Sequence, residues 1–265
     1  MKLLELSLGD GPLAAAAIHH GHHLRPTIAQ HIALDDSERL REEDPFTGEL
    51  AALAPTHFIG QRSRFEVDLN RPRDHAVYQK PEDAWGLNVW SESLPPTCIA
   101  ESLANYDTCY ATVKTVLEQL IRHCGRVVVL DLHSYNHCRD GEHCEADPEA
   151  NPEINIGTGS LDRTAWGPVV DRFVGDLRAF DFAGRHLDVR ENIKFQGGHF
   201  PKWIHATYPG QACAIAVEFK KTFMNEWTGE LDRPHFDRLK AAVQSTFPGI
   251  LEVLGASCVG TPPAE

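Results

Sequence analysis

The sequence feature that most constrains the fold is an unbroken aliphatic run that ends in a histidine, RVVVLDLH at residues 126–133. A strand without polar alternation is typical of the interior of a parallel sheet, where both faces are buried. Residues 212–219 repeat the pattern and carry their one charge near the end, at Glu218. The uncharged run at residues 12–18 is predicted as a third buried strand, although its alanines would equally suit a helix.

A fourth strand is predicted from alternation rather than from a continuous run. Phe65, Val67 and Leu69 alternate with polar residues over 64–69, which is typical of a short, half-buried strand. Pro72 then ends the pairing, because proline has no N–H to donate to a neighbouring strand.

Segments with helical patterns separate these strands. Strand and helix therefore alternate, which predicts an α/β fold: a single domain with a mostly parallel mixed sheet flanked by helices on both faces. Within this one domain of residues 1–265, irregular excursions are predicted at 73–98 and 137–152 and a disordered tail at 259–265. The predicted helices cover residues 26–32, 46–53, 105–123, 165–180 and 236–254.

Composition and charge narrow the classes of partner and compartment. A net charge of −13 argues against nucleic acid or an anionic membrane as a partner, since both are polyanions. The first residues lack the apolar region of a signal peptide, and no run is long enough to span a membrane. Seven cysteines without regular spacing favour reduced thiols over a disulfide framework. We therefore expect a cytoplasmic protein with a small-molecule partner.

Reactive side chains recur where the predicted strands end. His19 follows the first strand, Asn70 and Arg71 follow the second, His133 ends the third, and Glu218 ends the last. Ligands of open α/β sheets bind outside the carboxyl ends of the strands. The recurrence therefore predicts one site that gathers these side chains.

Two histidines and one carboxylate form a common catalytic zinc set, which leaves a position open for water. His19 and His133 are the candidate imidazoles, and Asp44, at a predicted helix start, is the preferred third ligand. Glu43 and His22 compete with Asp44; His22 would share a face with His19 if that loop were helical. The alternatives are a hydrogen-bonded histidine at a strand end and a metal-binding patch of surface histidines.

The remaining candidates suggest hydrolysis of a substrate that carries a carboxylate. Glu218 near a metal could act as a general base toward water, although a salt bridge to Lys220 or Lys221 would explain it equally well. The guanidinium of Arg71 offers paired donors to a carboxylate, and Asn70 adds an amide. The plainer alternative is an arginine that forms a salt bridge at a strand end.

Taken together, these motifs resemble the N-formylglutamate amidohydrolase family, which is grouped with the zinc carboxypeptidases and aspartoacylase-like deacylases. The most specific piece is SRFEVDLNRP at residues 63–72, close to the family's SRFVIDLNRP. The weaker matches are IHHG at 18–21, DLHS at 131–134, NIGT at 155–158, FQGG at 195–198 and VEF at 217–219.

The resemblance implies a hydrolase that removes an acyl group from the nitrogen of an amino acid. It implies one zinc ion, held by His19, Asp44 and His133 with His22 in reserve, while Glu218 activates water.

It further implies that Arg64 polarises the scissile carbonyl and that Asn70 and Arg71 bind the substrate carboxylate. Lys202 is a further candidate substrate-binding residue. It stands where the family has an arginine, so specificity for glutamate does not carry over to this sequence.

Some segments depart from the family pattern. Ile18 replaces the proline before the first histidine, and residues 80–96, with two tryptophans, are not typical of the family. The leading hypothesis is a zinc-dependent amidohydrolase acting on a small N-acyl amino acid, such as an N-formyl amino acid. The alternatives are a metallocarboxypeptidase and, from another class, a non-catalytic zinc-binding protein.

Overall fold

A computed structural model describes residues 3–144 and 146–255. A seven-stranded sheet crosses the described molecule, with strand order β1-β3-β2-β4-β7-β5-β6. The strands are β1 (Leu4–Ser7), β2 (Leu13–Ala17), β3 (Thr56–Gly60), β4 (Val127–Tyr135), β5 (Ile154–Gly157), β6 (Val189–Glu191) and β7 (Ala212–Lys220).

The centre of the sheet is parallel. Strands β3, β2, β4 and β7 run in the same direction, whereas β1 and β5 lie antiparallel to their neighbours β3 and β7. Every residue of β2 and β4 is buried, which confirms the prediction of strands covered on both faces. The chain is a single α/β domain with a mostly parallel mixed sheet, as predicted.

Helices cover both faces of this sheet. Alternate residues of β4 point to opposite sides: Val128 and Leu130 pack beneath the helices Arg163–Ala179 and Arg233–Ser245, while Val127 and Val129 pack beneath the helices Pro96–Cys124 and His199–Thr207. The helices are α1 (Pro26–Ala29), α2 (Asp36–Glu42), α3 (Thr47–Ala51), α4 (Pro96–Cys124), α5 (Arg163–Ala179), α6 (His199–Thr207), α7 (Arg233–Ser245) and α8 (Phe247–Val253). No helix in the described part of the chain is long and apolar enough to cross a membrane.

The strand predicted at residues 64–69 is wrong, because this segment is a series of turns. Its alternating polar residues, Glu66 and Asp68, are fully buried rather than exposed. Glu66 forms salt bridges with two arginines, and the N–H of Asp68 donates to the carbonyl of Ala76. The polar residues that alternate with apolar ones here form internal ion pairs. They do not mark the solvent-facing side of a strand.

Several boundaries also differ from the predictions. Helix α4 begins at Pro96 rather than at residue 105, and the predicted closing helix is two helices, α7 and α8. Strands β1, β3 and β5 and helix α6 were not predicted. The excursion at residues 73–98 contains two short 3₁₀ helices, Arg73–His75 and Pro81–Ala84. The tail at residues 259–265 lies outside the described residues.

Gly21 allows the loop after β2 to lie against the end of β3. A Cβ atom at Gly21 would lie 2.2 Å from the carbonyl carbon of Gln61 and 2.5 Å from the amide nitrogen of Arg62. Those atoms are backbone and cannot rotate away, so glycine is required by space.

We expect Gly21→Ala to lower the free energy of unfolding by about 1–3 kcal/mol, the usual cost of forcing an extra methyl into a packed site. The measurement is urea unfolding followed by circular dichroism. Gly175→Ala is the matched control: nothing lies within 4 Å of its Cβ position inside α5, so alanine should be neutral or stabilising. Equal stability of the two variants would contradict the steric explanation.

Candidate active site

The carboxyl ends of three parallel strands bring the predicted reactive residues together. His19 lies two residues beyond the end of β2, while His133 and Glu218 lie on β4 and β7 and are paired directly across the sheet. Asp44 reaches them from the connection between α2 and α3, where its backbone N–H donates to the carbonyl of His19 at 3.0 Å. Residues distant in sequence therefore meet at one end of the sheet.

The position of Asp44 at a predicted helix start had suggested that its side chain caps α3. The structure shows no such side-chain cap. Instead, the backbone carbonyl of Asp44 accepts from the N–H and hydroxyl of Thr47, and the residue before the helix, Phe46, has a positive φ of 69°. This turn leaves the carboxylate of Asp44 free to face the histidines.

His19, Asp44 and His133 form a buried cluster whose potential ligand atoms all lie within 4.8 Å of one another. Asp44 Oδ2 lies 2.9 Å from His133 Nδ1 and 3.5 Å from His19 Nδ1. The two imidazole rings meet edge to face, with centroids 4.9 Å apart.

This cluster fits a divalent metal ion. Nitrogen and carboxylate ligands about 2.1 Å from a tetrahedral zinc lie about 3.4 Å from each other, and the two separations at Asp44 bracket that value. His19 Nδ1 is buried without a hydrogen-bond partner in the structure. Since a buried polar atom without a partner is costly, an ion bound there would satisfy it.

A carboxylate lies beside the outer nitrogen of each imidazole. His19 Nε2 donates to Asp68 Oδ1 at 2.7 Å, and His133 Nε2 lies 3.1 Å from Asp131 Oδ1. Such partners set the tautomer and the orientation of metal-binding histidines. The inward-facing Nδ1 atoms are thereby left available to bind an ion.

Asp68 also organises the arginine beside the cluster. Its second carboxylate oxygen accepts from Arg64 Nη2 at 2.9 Å and from the Tyr78 hydroxyl. Arg64 further donates to the carbonyl of Glu42 and to the Tyr78 oxygen, each at 3.3 Å. The guanidinium is therefore held by three partners, and two of its five N–H donors have no partner among the described residues.

Burial and charge shift the acids of the site in opposite directions. Burial alone would raise the pKa of Asp44, but the hydrogen bond from His133 and the adjacent imidazole of His19 outweigh it and hold the pKa well below its usual range. Burial raises the pKa of Glu218 to about 7, against the opposing charge of His133. One carboxylate is thus kept ionised, whereas the other can gain or lose a proton near neutral pH.

Glu218 does not form the salt bridge that was its alternative explanation. Lys221 is fully buried, and its ammonium donates instead to the backbone carbonyls of Arg41 and Glu43, at 2.6 and 2.8 Å. Burial lowers the pKa of Lys221 to about 8. These bonds tie the end of β7 to the segment that carries Asp44.

A cavity of about 420 Å³ opens above this cluster, and the predicted substrate-binding residues line it. Asn70 is partly committed, because its side-chain oxygen accepts from the N–H of Phe200 at 2.9 Å. Arg71 is less constrained, at 3.8 Å from Asp68 Oδ2. Lys202 is exposed in the first turns of α6.

Two alternative ligands lie elsewhere. His22 Nδ1 lies 2.6 Å from Glu43 Oε2, and the Ser63 hydroxyl donates to the other oxygen of Glu43. The loop that carries His22 is not helical, so His22 does not share a face with His19.

Sequence reasoning missed three residues of this arrangement: Asp68, Asp131 and the buried Lys221. A signal existed for Asp131, which stands two residues before His133 and therefore on the same face of β4. Asp68 and Lys221 depend on contacts between distant segments, for which the sequence carries no local signal.

The model of the N-formylglutamate amidohydrolase family matches residues 11–224. The chain belongs to this family. Its members hydrolyse amide bonds, and the site described above lies within the matched residues. The search of functionally curated proteins gave no match.

Solved structures share the fold. An N-formylglutamate amidohydrolase from Ralstonia eutropha JMP134 superposes with a TM-score of 0.75 at 16% identity, over 97% of this chain and 100% of that one. A gene product from Agrobacterium tumefaciens gives a TM-score of 0.66 at 14% identity, over 97% of each chain. At such identities these likenesses establish the architecture alone.

With zinc as the probe ion, we expect Asp68→Asn to weaken metal binding by about 10- to 100-fold, because an amide cannot fix His19 and balance Arg64 as a carboxylate does. Competition with a chromogenic chelator would measure the zinc affinity. Glu66→Gln is the matched control, since Glu66 is equally buried in the same segment but bonds to Arg25 and Arg62. Equal losses in both variants would show that Asp68 acts only through general stability.

Proposed function

We propose that this protein is a zinc-dependent amidohydrolase that cleaves the amide bond of a small N-acyl amino acid. The observation that carries the proposal is the buried cluster of His19, Asp44 and His133, with Glu218 beside it at the floor of one cavity. Membership in the N-formylglutamate amidohydrolase family supports the reaction class.

His19, Asp44 and His133 would hold the ion. When bound, zinc supplies Lewis acidity that lowers the pKa of water to about 7 and so makes hydroxide available near neutrality. Asp68 and Asp131 keep the two imidazoles in the orientation that binding requires.

Glu218 is the general base. Its pKa of about 7 suits proton transfer near neutral pH, since it is strong enough to take a proton from water and weak enough to release it. The same carboxyl then delivers that proton to the amino nitrogen as the C–N bond breaks.

Arg64 stabilises the charge that develops on the acyl oxygen. Its guanidinium is already fixed by Asp68, Tyr78 and the carbonyl of Glu42, so little reorganisation accompanies the reaction. A preorganised donor of this kind typically lowers the barrier by ~3 kcal/mol.

Arg71, Asn70 and Lys202 bind the substrate carboxylate and the rest of the amino acid. Among the described residues, the Arg71 guanidinium has only long polar contacts, 3.8 Å to Asp68 Oδ2 and 3.4 Å to the carbonyl of Asp83, so it can rotate to pair with an anion. Asn70 still has an amide N–H donor available, because its side-chain oxygen accepts from Phe200 while its nitrogen has one long contact, 3.5 Å to His133 Nε2. Lys202 adds a flexible positive charge at the rim.

Removing the metal should abolish hydrolysis, and restoring it should recover the activity. The experiment treats the purified protein with a chelator and assays N-formyl and other N-acyl amino acids before and after zinc is added. Metal analysis of the active protein measures the stoichiometry, which we expect to be one ion per chain. Full activity in metal-free protein would contradict the role of the cluster. Zinc binding without hydrolysis of any N-acyl amino acid would instead support a non-catalytic zinc protein.

Glu218→Gln should lower kcat by at least ~100-fold, because the amide keeps the shape of the side chain but cannot accept a proton. Zinc content should be unchanged. Since burial raises the pKa of Glu218 from 4.5 to about 7, the folded state loses stability as the pH rises from 4.5 to about 7, and the full cost is present at pH 8. The metal-free variant should therefore melt no lower than the parent at pH 8. A kcat close to that of the parent would show that Glu218 is not the general base.

A further inference from the structure

Two half-exposed aromatic rings line the catalytic cavity. Trp85 is 48% exposed and Phe195 is 37% exposed, and both lie among the few large apolar side chains on the described surface. The other lining residues are mostly charged or polar; the remaining apolar ones are Pro72 and Tyr135. The cavity therefore contains an apolar portion that the binding of a carboxylate does not explain.

Trp85 is held rigidly in a strained conformation. It follows the 3₁₀ helix Pro81–Ala84 with a positive φ of 56°, which is unfavourable for a bulky residue. The N–H of Gly86 closes the turn by donating to the carbonyl of Pro81 at 2.8 Å. Such strain persists where the surrounding structure enforces it, and it concentrates at functional sites.

The contact between Trp85 and Arg64 relates the indole ring to the bond that the enzyme would cleave. The guanidinium of Arg64 lies over the indole ring, 4.8 Å from its centroid. If Arg64 binds the acyl oxygen, the part of the acyl group beyond the carbonyl lies next to Trp85.

Phe195 is also fixed in place. Asn155, buried on β5, donates to the backbone carbonyl of Phe195 at 2.8 Å, and the ring packs against Tyr135 with centroids 5.6 Å apart. Asn155 is the cross-strand partner of Glu218, so Phe195 is anchored to the strand pair that carries the general base.

We propose that the acyl group of the substrate is apolar and larger than formyl, and that Trp85 and Phe195 form its binding surface. This inference rests on the proposed function and adds the substrate class. A formyl group has no carbon beyond the carbonyl and gains nothing from the two rings. An alkyl chain or an aromatic ring removes their exposed surface from water on binding, which is favourable in proportion to the apolar area buried.

The experiment measures kcat/KM of the zinc-loaded enzyme for a series of N-acyl derivatives of one amino acid: formyl, acetyl, hexanoyl and benzoyl. We expect the hexanoyl or benzoyl compound to exceed the formyl compound by at least 10-fold. Trp85→Ala should lower that ratio by about 10-fold, which corresponds to roughly 55 Å² of apolar contact. Trp85→Gly removes the ring without the penalty for positive φ, and Phe195→Ala tests the other ring, so the test does not depend on one variant.

Trp227→Ala is the matched control. Trp227 is likewise half-exposed, at 38%, and its ring likewise lies under an arginine, with Arg41 3.6 Å from the centroid, but it lines a different cavity. Its removal should leave the ratio unchanged. Preference for the formyl compound, or a ratio unaffected by loss of Trp85 and of Phe195, would overturn this inference while leaving the amidohydrolase proposal intact. Hydrolysis of none of the compounds would overturn both.

Discussion

The arrangement of this site depends on the buried carboxylate of Asp68. One oxygen accepts from His19, while the other accepts from Arg64 and Tyr78. The first oxygen also accepts from the backbone N–H of Asn70 at 2.8 Å, which shapes the turn that presents Asn70 to the cavity. A single side chain thus fixes a candidate metal ligand, the arginine beside it and the start of the Asn-Arg pair. Such a network is stable only when all its members are satisfied, so the parts of the site are coupled.

Charge explains why this network suits a cation at its centre. Asp44, Asp68 and Asp131 are all fully or almost fully buried, and the nearby guanidinium of Arg64 is already shared with Asp68. Buried carboxylates are costly unless they are paired or bind a metal. The raised pKa of Glu218 reflects the same excess of negative charge, because burial and the charges of Asp44 and Asp131 all oppose its ionisation. The ion that supports the proposed chemistry would also offset the electrostatic cost of folding these acids together.

The sequence predicted the convergence but not the supporting contacts. An aliphatic run such as 126–133 is typical of a strand buried on both faces, and parallel strands bring His19, His133 and Glu218 to one edge. Alternation at residues 64–69 was misleading because it cannot distinguish polar residues that face water from polar residues that pair internally. Glu66 and Asp68 are of the second kind: each pairs with the arginine four residues before it and with a residue distant in sequence, Arg25 for Glu66 and His19 for Asp68. The positions of these candidate site residues thus follow from strand order, whereas their orientation depends on long-range pairs that no local pattern reveals.

The residues proposed for the reaction and those proposed for substrate specificity differ in the same way. His133 and Glu218 are positioned by the register of β4 against β7, which cannot slip by one residue without turning both side chains to the other face of the sheet. Trp85 belongs instead to an excursion whose position relative to the sheet depends on contacts such as the one between its ring and Arg64. A change at Trp85 alters the wall of the cavity while the register of β4 against β7 stays the same. A family can therefore keep one reaction while its members differ in substrate, and in this chain the strained, half-exposed Trp85 is where such a difference would arise.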